Sequence, residues 1–283
     1  MKNIVACIDG SSIATAVCDA GAWASQRLEA PLQLMHVLDK AEFEVNRDLS
    51  GNLGLDGREH LLEELTALDE QRGKLALEHG KHMLEEAEKR ALEDGAVNVS
   101  RQQRHGSLVE TLQEFEAQTR MVVIGRLGEG HENLVHAIGS HLESVIRTVH
   151  GPILVAVNGF TAPSNFMLAY DASDTAEKAL ERIAASQLLK ELPCHLVMVC
   201  RESGIRRQQM QQASAKLAAA GFDVVQHMEE GEVQQVLNDY QKDKNIELLV
   251  MGAYGHSRIR QFFVGSNTTK MLSSSDISLL FLR

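Results

Sequence analysis

The chain reads as an α/β protein of two related halves, each a parallel sheet with crossover helices. Short apolar runs alternate with longer helical stretches from end to end, which is the pattern that βαβ units produce. A strand ending in aspartate occurs twice, as Asn3-Ile-Val-Ala-Cys-Ile-Asp9-Gly-Ser and as Phe166-Met-Leu-Ala-Tyr-Asp171-Ala-Ser. A glycine loop follows an apolar strand twice. The first copy is Gly125-Arg-Leu-Gly128, ten residues, then Gly139-Ser140; the second is Gly252-Ala-Tyr-Gly255, nine residues, then Gly265-Ser266. Self-similarity of this kind halves the folding unit and fixes the boundary, giving domains at 1–158 and 165–283.

In the first half the pattern predicts strand 3–9, helix 12–28, strand 32–38, an inserted helix 61–94, strand 97–103, helix 107–117, strand 121–125, helix 140–149 and strand 153–157. The second half repeats this more tightly, with strands 166–171, 195–200, 223–228, 247–252 and 278–282 and helices 175–189, 208–220, 233–242 and 266–273. Ser173 or Asp174 can cap the helix after Asp171, Gly95 and Gly221 can end the second helices, and Pro31 and Pro193 precede the second strands. Asn158-Gly-Phe-Thr-Ala-Pro-Ser164 is a turn-rich linker. Asp9 and Gly125 lie 116 positions apart, against 81 for Asp171 and Gly252, so the first half carries an insertion, mostly within 39–73. There Leu61, Leu65, Leu68, Leu77, Leu84 and Ala91 keep helical spacing among charges, with a kink expected at Gly73 and Gly80. The inserted helix is expected to cap one domain face, with a partner surface as the alternative.

A chain of 283 residues suits two domains, and only 4% of it is aromatic. The core must therefore rest on Leu, Val, Ile, Ala and Met. No run approaches the roughly 18 to 20 apolar residues of a membrane span, and the start enters a strand with no signal-peptide pattern; the expected location is the cytoplasm. Cys7, Cys18, Cys194 and Cys200 lack Cys-x2-Cys spacing and read as reduced, structural thiols. A formal charge of −11 disfavours nucleic acid and anionic membrane, which need clustered cations. Arg206, Arg207, Arg258 and Arg260 are local exceptions.

The glycine loops carry the chemistry. A strand ending in glycine lets a ligand approach the backbone, and the free N–H groups of the following helix start, with the Ser266 hydroxyl, offer donors to phosphate. Together the Asp strands, the spaced loops and the repeat resemble the universal stress protein family, over 2–157 and 165–283. Nucleotide-binding members of that family carry Gly-x2-Gly-x9-Gly-Ser/Thr after the fourth strand and Asp after the first, a pattern the second half matches and the first exceeds by one residue. The resemblance implies two tandem doubly wound parallel five-stranded sheets of order 3-2-1-4-5, with helices on both faces, and ligands bound where the chain order reverses. It further implies that Asp171 faces the ribose or a phosphate-bound metal and that the main chain at Val199 meets adenine. Gly252 and Gly255 would leave room for ribose and phosphate, while Gly265, Ser266 and Asn267 hold the phosphates and His256 and Arg258 close over them. In the first half the same roles fall on Asp9, Val37, Gly125, Gly128, Gly139 and Ser140. The Glu129 and Glu132 carboxylates beside that loop repel a triphosphate unless a metal intervenes, so the second half is the expected site.

The expected activity is adenine-nucleotide binding, ATP with or without Mg, in a stress-response protein that acts through conformation or partners. A slow ATP hydrolase or phosphotransferase and a nucleotide-free scaffold are the alternatives. Gly-x4-Gly-Lys-Ser/Thr is absent, and Gly255-His-Ser257-Arg-Ile259 departs from a nucleophile elbow where the turn needs glycine. His79 with His82, and His131, His136 and His141, could bind a surface metal, but solvated histidines fit the same spacing. The apolar last strands, 153–157 and 278–282, are edges that invite association. They are expected to pair within the chain as a pseudo-twofold dimer, the resemblance implying the same contact, and further homodimerisation stays open.

Overall fold

The structure, a computed structural model, describes residues 2–38, 55–126, 142–252 and 275–283, the side chains of 55–64 and 69 excepted. In the first half strands β1 (Asn3–Cys7), β2 (Leu32–Leu38), β3 (Ser100–His105), β4 (Thr119–Gly125) and β5 (Ile153–Ala156) alternate with helices α1 (Ala14–Leu28), α2 (Leu55–Glu93), α3 (Leu108–Glu114) and α4 (Leu142–Thr148). The second contains β6 (Phe166–Ala169), α5 (Asp174–Ala185), β7 (Cys194–Val199), α6 (Gly204–Ala219), β8 (Val224–Glu229), α7 (Val233–Asp243), β9 (Leu248–Gly252) and β10 (Ser278–Leu282). The expected helix at 266–273 lies outside the described residues.

All ten strands form one sheet in the order β3-β2-β1-β4-β5-β10-β9-β6-β7-β8. Each half therefore has the order 3-2-1-4-5, and the two five-stranded sheets are continuous. Their junction is the antiparallel ladder, Leu279 opposite Val155, Leu280 opposite Leu154 and Phe281 opposite Ile153. The other ladders run parallel. Strands β5, β6, β9 and β10 are buried at every position, because helices or strands cover both faces; such strands read as unbroken apolar runs. The outermost strand β3 is Ser-Arg-Gln-Gln-Arg-His, whose charged and polar side chains oppose edge-to-edge growth.

One apolar layer lies under α1, α2, α5 and α6 and includes Ile4, Leu154, Phe166 and Leu280. The opposite layer joins Val5, Val122, Phe281 and Met251 to residues of α3, α4 and α7. Neighbouring strand residues divide between the layers because side chains alternate across a sheet. Caps follow local chemistry. The Ser173 hydroxyl accepts from Ala176 N at 3.2 Å and opens α5, while Gly95 and Gly221 take φ of 80° and 90° beyond α2 and α6.

The inserted helix differs from expectation. Helix α2 is continuous over 39 residues with no break at Gly73 or Gly80. Gly80 is buried against β2 and β3, and a Cβ there would lie 2.6 Å from His36 Cδ2. His36 is itself fixed 2.8 Å from the Ile8 carbonyl. The missing side chain at Gly80 thus lets the helix approach the sheet closely. The strand starts expected at 97 and 223 fall instead at Ser100 and Val224.

Side chains also tie the halves together. Arg27 Nε donates to the Leu188 carbonyl at 3.1 Å, and Arg283 donates to the Val149 and Arg147 carbonyls at 3.0 and 2.7 Å. In the linker, Phe160 packs on Trp23 of α1 with ring centroids 5.9 Å apart.

Candidate functional site

In each half the strand order reverses between the first and fourth strands, β1 beside β4 and β6 beside β9. Ligands of open α/β sheets bind outside the carboxyl ends at such a point. Asp9 follows β1 by two residues and Gly125 ends β4; Asp171 follows β6 by two residues and Gly252 ends β9. The register Ala169 opposite Met251 brings Asp171 and Gly252 to the same end of adjacent strands. Val199 ends β7 and Val37 lies near the end of β2, each half-buried on the far side of its Asp-bearing strand.

Local chemistry sets the aspartates. Asp171 Oδ1 accepts from Ser173 N at 3.0 Å, and the intervening Ala172 takes φ of 60°. This is an Asx turn, in which the carboxylate holds the chain as it leaves the strand and enters α5. Asp9 Oδ1 accepts from both Ser11 N at 3.2 Å and Ser11 Oγ at 2.5 Å. Both aspartates are half-buried.

Gly252 plays a role the sequence pattern did not assign. A Cβ there would lie 3.0 Å from the Thr175 carbonyl oxygen and 3.1 Å from Thr175 Cγ2. The first turn of α5 occupies the space beside Gly252, so this glycine serves helix–strand packing in the described region. The close contact brings the N-terminal turn of α5 against the end of β9, beside the carboxylate of Asp171.

Arg206, in the first turn of α6, donates from Nη1 to the Asp171 carbonyl at 3.1 Å and to Gln209 Oε1 at 3.2 Å. It braces the strand end from the β7 side of the crevice. Behind it, Tyr170 Oη donates to Glu177 Oε1, and Lys216 Nζ donates to Glu177 Oε2 at 2.6 Å. Burial pulls the Glu177 carboxyl upward, but the hydrogen bonds from Lys216 and Tyr170 outweigh it and hold the group below the ordinary carboxylate value. Burial, with the Glu177 bond second, raises the Tyr170 phenol. Burial also raises the Cys200 thiol, beside Val199.

The structure thus brings Asp9 to Gly125 and Asp171 to Gly252, with Val37 and Val199 alongside. Gly128, Gly139, Ser140, Gly255, Gly265, Ser266 and Asn267 lie outside the described residues, as do His131, His136, His141, His256, Ser257 and Arg258. Among the described residues no group of three or more acidic, His or Cys side chains could hold a metal; His82 lies 3.6 Å from Glu85. The four cysteines are unpaired thiols. No helix among the described residues is long and apolar enough to cross a membrane. Sequence reasoning missed Thr175 and Arg206 as neighbours of the crevice. The Asp-x-Ser spacing shared by Asp9 with Ser11 and Asp171 with Ser173 signals the turn, but no pattern marks a residue that arrives from another helix.

The family model described as universal stress protein family matches residues 1–157 and 200–283. Universal stress protein Slr1230 of Synechocystis sp. is 32% identical over 294 residues, covering 100% of both chains. A universal stress protein from Archaeoglobus fulgidus DSM 4304 covers 99% of this chain and 96% of its own at 16% identity and a TM-score of 0.70, a likeness of fold. A universal stress protein from Archaeoglobus fulgidus in complex with dAMP covers 44% of this chain and 100% of its own, at 16% identity and a TM-score of 0.34.

Proposed function

The chain belongs to the universal stress protein family as a tandem member, and on that premise we propose that it binds an adenine nucleotide, ATP, chiefly in the second half. The observation that carries this reading is the placement of Asp171 and Gly252 at one end of adjacent strands at the reversal point. The sequence continues from Gly252 directly into the correctly spaced Gly255, Gly265 and Ser266. In this reading Asp171 meets the ribose, the main chain at Val199 meets adenine, and Gly255, Gly265, Ser266 and Asn267 hold the phosphates through N–H groups and a hydroxyl. The single carboxylate of Asp171 suits a magnesium ion carried in on the phosphates, since Mg2+ commonly takes one or two carboxylates and keeps phosphate and water for the rest. It is too small a donor set for a resident metal. The first half, at Asp9, Val37, Gly125, Gly128, Gly139 and Ser140, is the weaker site, because its loop is one residue longer and carries Glu129 and Glu132, whose charges repel phosphate.

The protein acts in the cytoplasm in a stress response, through conformation or partners rather than turnover. Pairing of β5 with β10 stands for a dimer contact made within one chain. The test is extraction of nucleotide from the purified protein under denaturing conditions, followed by calorimetry with ATP. Adenine nucleotide should be released, Gly265→Val should abolish ATP binding in a folded chain, and Asp171→Ala should weaken it by about 1 to 3 kcal/mol. Unchanged affinity in Gly265→Val would remove the site. Phosphate release measured in parallel separates binding from slow hydrolysis.

A further inference from the structure

Ala172 has an unusual backbone beside the candidate crevice. Its φ of 60° lies in the left-handed region that alanine disfavours, because the Cβ crowds the following carbonyl. Such a residue persists only where its neighbours hold it, and two contacts do so. Asp171 Oδ1 accepts from Ser173 N at 3.0 Å, and Arg206 Nη1 donates to the Asp171 carbonyl at 3.1 Å. The second contact sets the turn directly, since that carbonyl lies in the peptide plane whose rotation changes φ of Ala172. Arg206 is itself fixed, its N–H donating to Ser203 Oγ at 3.2 Å and its Nη1 also meeting Gln209 Oε1 at 3.2 Å. Gly10, the counterpart after Asp9, is not among the described residues with positive φ, and among those residues no arginine bonds the Asp9 carbonyl.

In a trans peptide the N–H points opposite the carbonyl. With the Asp171 carbonyl turned toward α6, the Ala172 N–H faces the other way. Strand β6 has β7, which leads into α6, on one side and β9 on the other, so this N–H is presented toward the reversal point. Among the described residues it has no bonded acceptor, and Asp171 Oδ2 has no bonded donor; both residues are half-buried. A guanidinium on the carbonyl polarises the peptide and makes the N–H a stronger donor. An N–H beside a carboxylate oxygen is complementary to a hydroxyl, which accepts from the one and donates to the other. Resting on the nucleotide reading of this crevice, we propose that Arg206 is a positioning residue that holds the Ala172 N–H and the Asp171 carboxylate to one ribose hydroxyl. The ligand is accordingly a ribonucleotide rather than a deoxyribonucleotide.

The test is calorimetric titration of the full chain with ATP, 2′-deoxy-ATP and 3′-deoxy-ATP. The parent should bind ATP at least about tenfold more tightly than one of the deoxy forms, because a site built around a hydroxyl leaves its polar groups unpaired without it. Arg206→Met, which keeps an apolar stem without the donor, should weaken ATP and leave that deoxy form nearly unchanged, so that the ratio falls to about threefold or less. Arg206→Lys can still donate to the carbonyl and should hold the ratio above about fivefold. If Arg206→Lys instead behaves as Arg206→Met, the guanidinium does not act through the carbonyl and the positioning role is overturned. Equal binding of all three nucleotides by the parent, or a ratio unchanged in Arg206→Met, overturns the proposal and leaves the nucleotide reading standing. No ATP binding by the parent overturns both.

Discussion

Gly252 shows how one residue can satisfy two constraints. The glycine pattern points to phosphate, yet the atom nearest its absent side chain is the Thr175 carbonyl oxygen at 3.0 Å. A methyl group cannot be accommodated unless α5 moves, because the obstacle is helix backbone rather than a flexible side-chain end. Gly252→Ala should therefore lower stability by about 1 to 3 kcal/mol, the usual range for overpacking, with no ligand present. Urea denaturation checks this, and an unchanged midpoint would mean that the contact carries no strain. Glu177 makes a prediction of a different kind. Its folded pKa is depressed below the ordinary value of 4.5, so the bonds from Tyr170 and Lys216 contribute fully above that value and are lost as pH falls through the folded pKa. The stability difference between the parent and Glu177→Gln should shrink on going from about pH 7 to about pH 3. Equal differences at both would show that the network does not hold the carboxylate charged.

At the scale of elements, α2 separates two uses of glycine within one helix. Gly73 has no neighbour within 4 Å of its would-be Cβ, whereas Gly80 faces His36 at 2.6 Å. Gly73→Ala should stabilise the protein by about 0.5 to 1 kcal/mol through helix propensity and unfolded-chain entropy. Gly80→Ala should destabilise it, since the buried His36 ring is held by the Ile8 carbonyl. Thermal melts of the two variants should move in opposite directions; a shared direction would show that α2 does not dock through Gly80. Helical periodicity made this element legible, because apolar positions at three-and-four spacing record which face turns to the sheet. The helix runs unbroken through both glycines, because glycine weakens a helix without ending it, and close approach to a sheet is a good reason for its presence at Gly80.

For the whole molecule, the decisive feature is the seam. Leu154 opposite Leu280 sits at its centre, and both residues are fully buried. If residues 1–158 are produced alone, the Ile153–Ala156 edge loses its antiparallel partner and should pair with a second copy. Light scattering should report a dimer for that fragment, and Leu154→Lys should return it to a monomer; a monomeric parent fragment would show that the edge does not drive association. The strand repeat, the reversal point and the apolar terminal strands were readable from sequence because each follows from local residue order. Arg206 on the Asp171 carbonyl and Arg27 on the Leu188 carbonyl were not, since they join residues far apart in the chain.

By itself the sequence determined the α/β class, the duplication, the order of the described elements and the placing of each aspartate beside the strand that ends in glycine. Periodicity and repetition are local properties, and apolar alternation is fixed by the geometry of strands and helices. Only the tertiary structure decided the register in which the two terminal strands pair and that Gly80 and Gly252 pack closely against neighbouring elements. These outcomes depend on distances between elements, which side-chain volume and sheet twist set jointly across the fold and no short segment encodes.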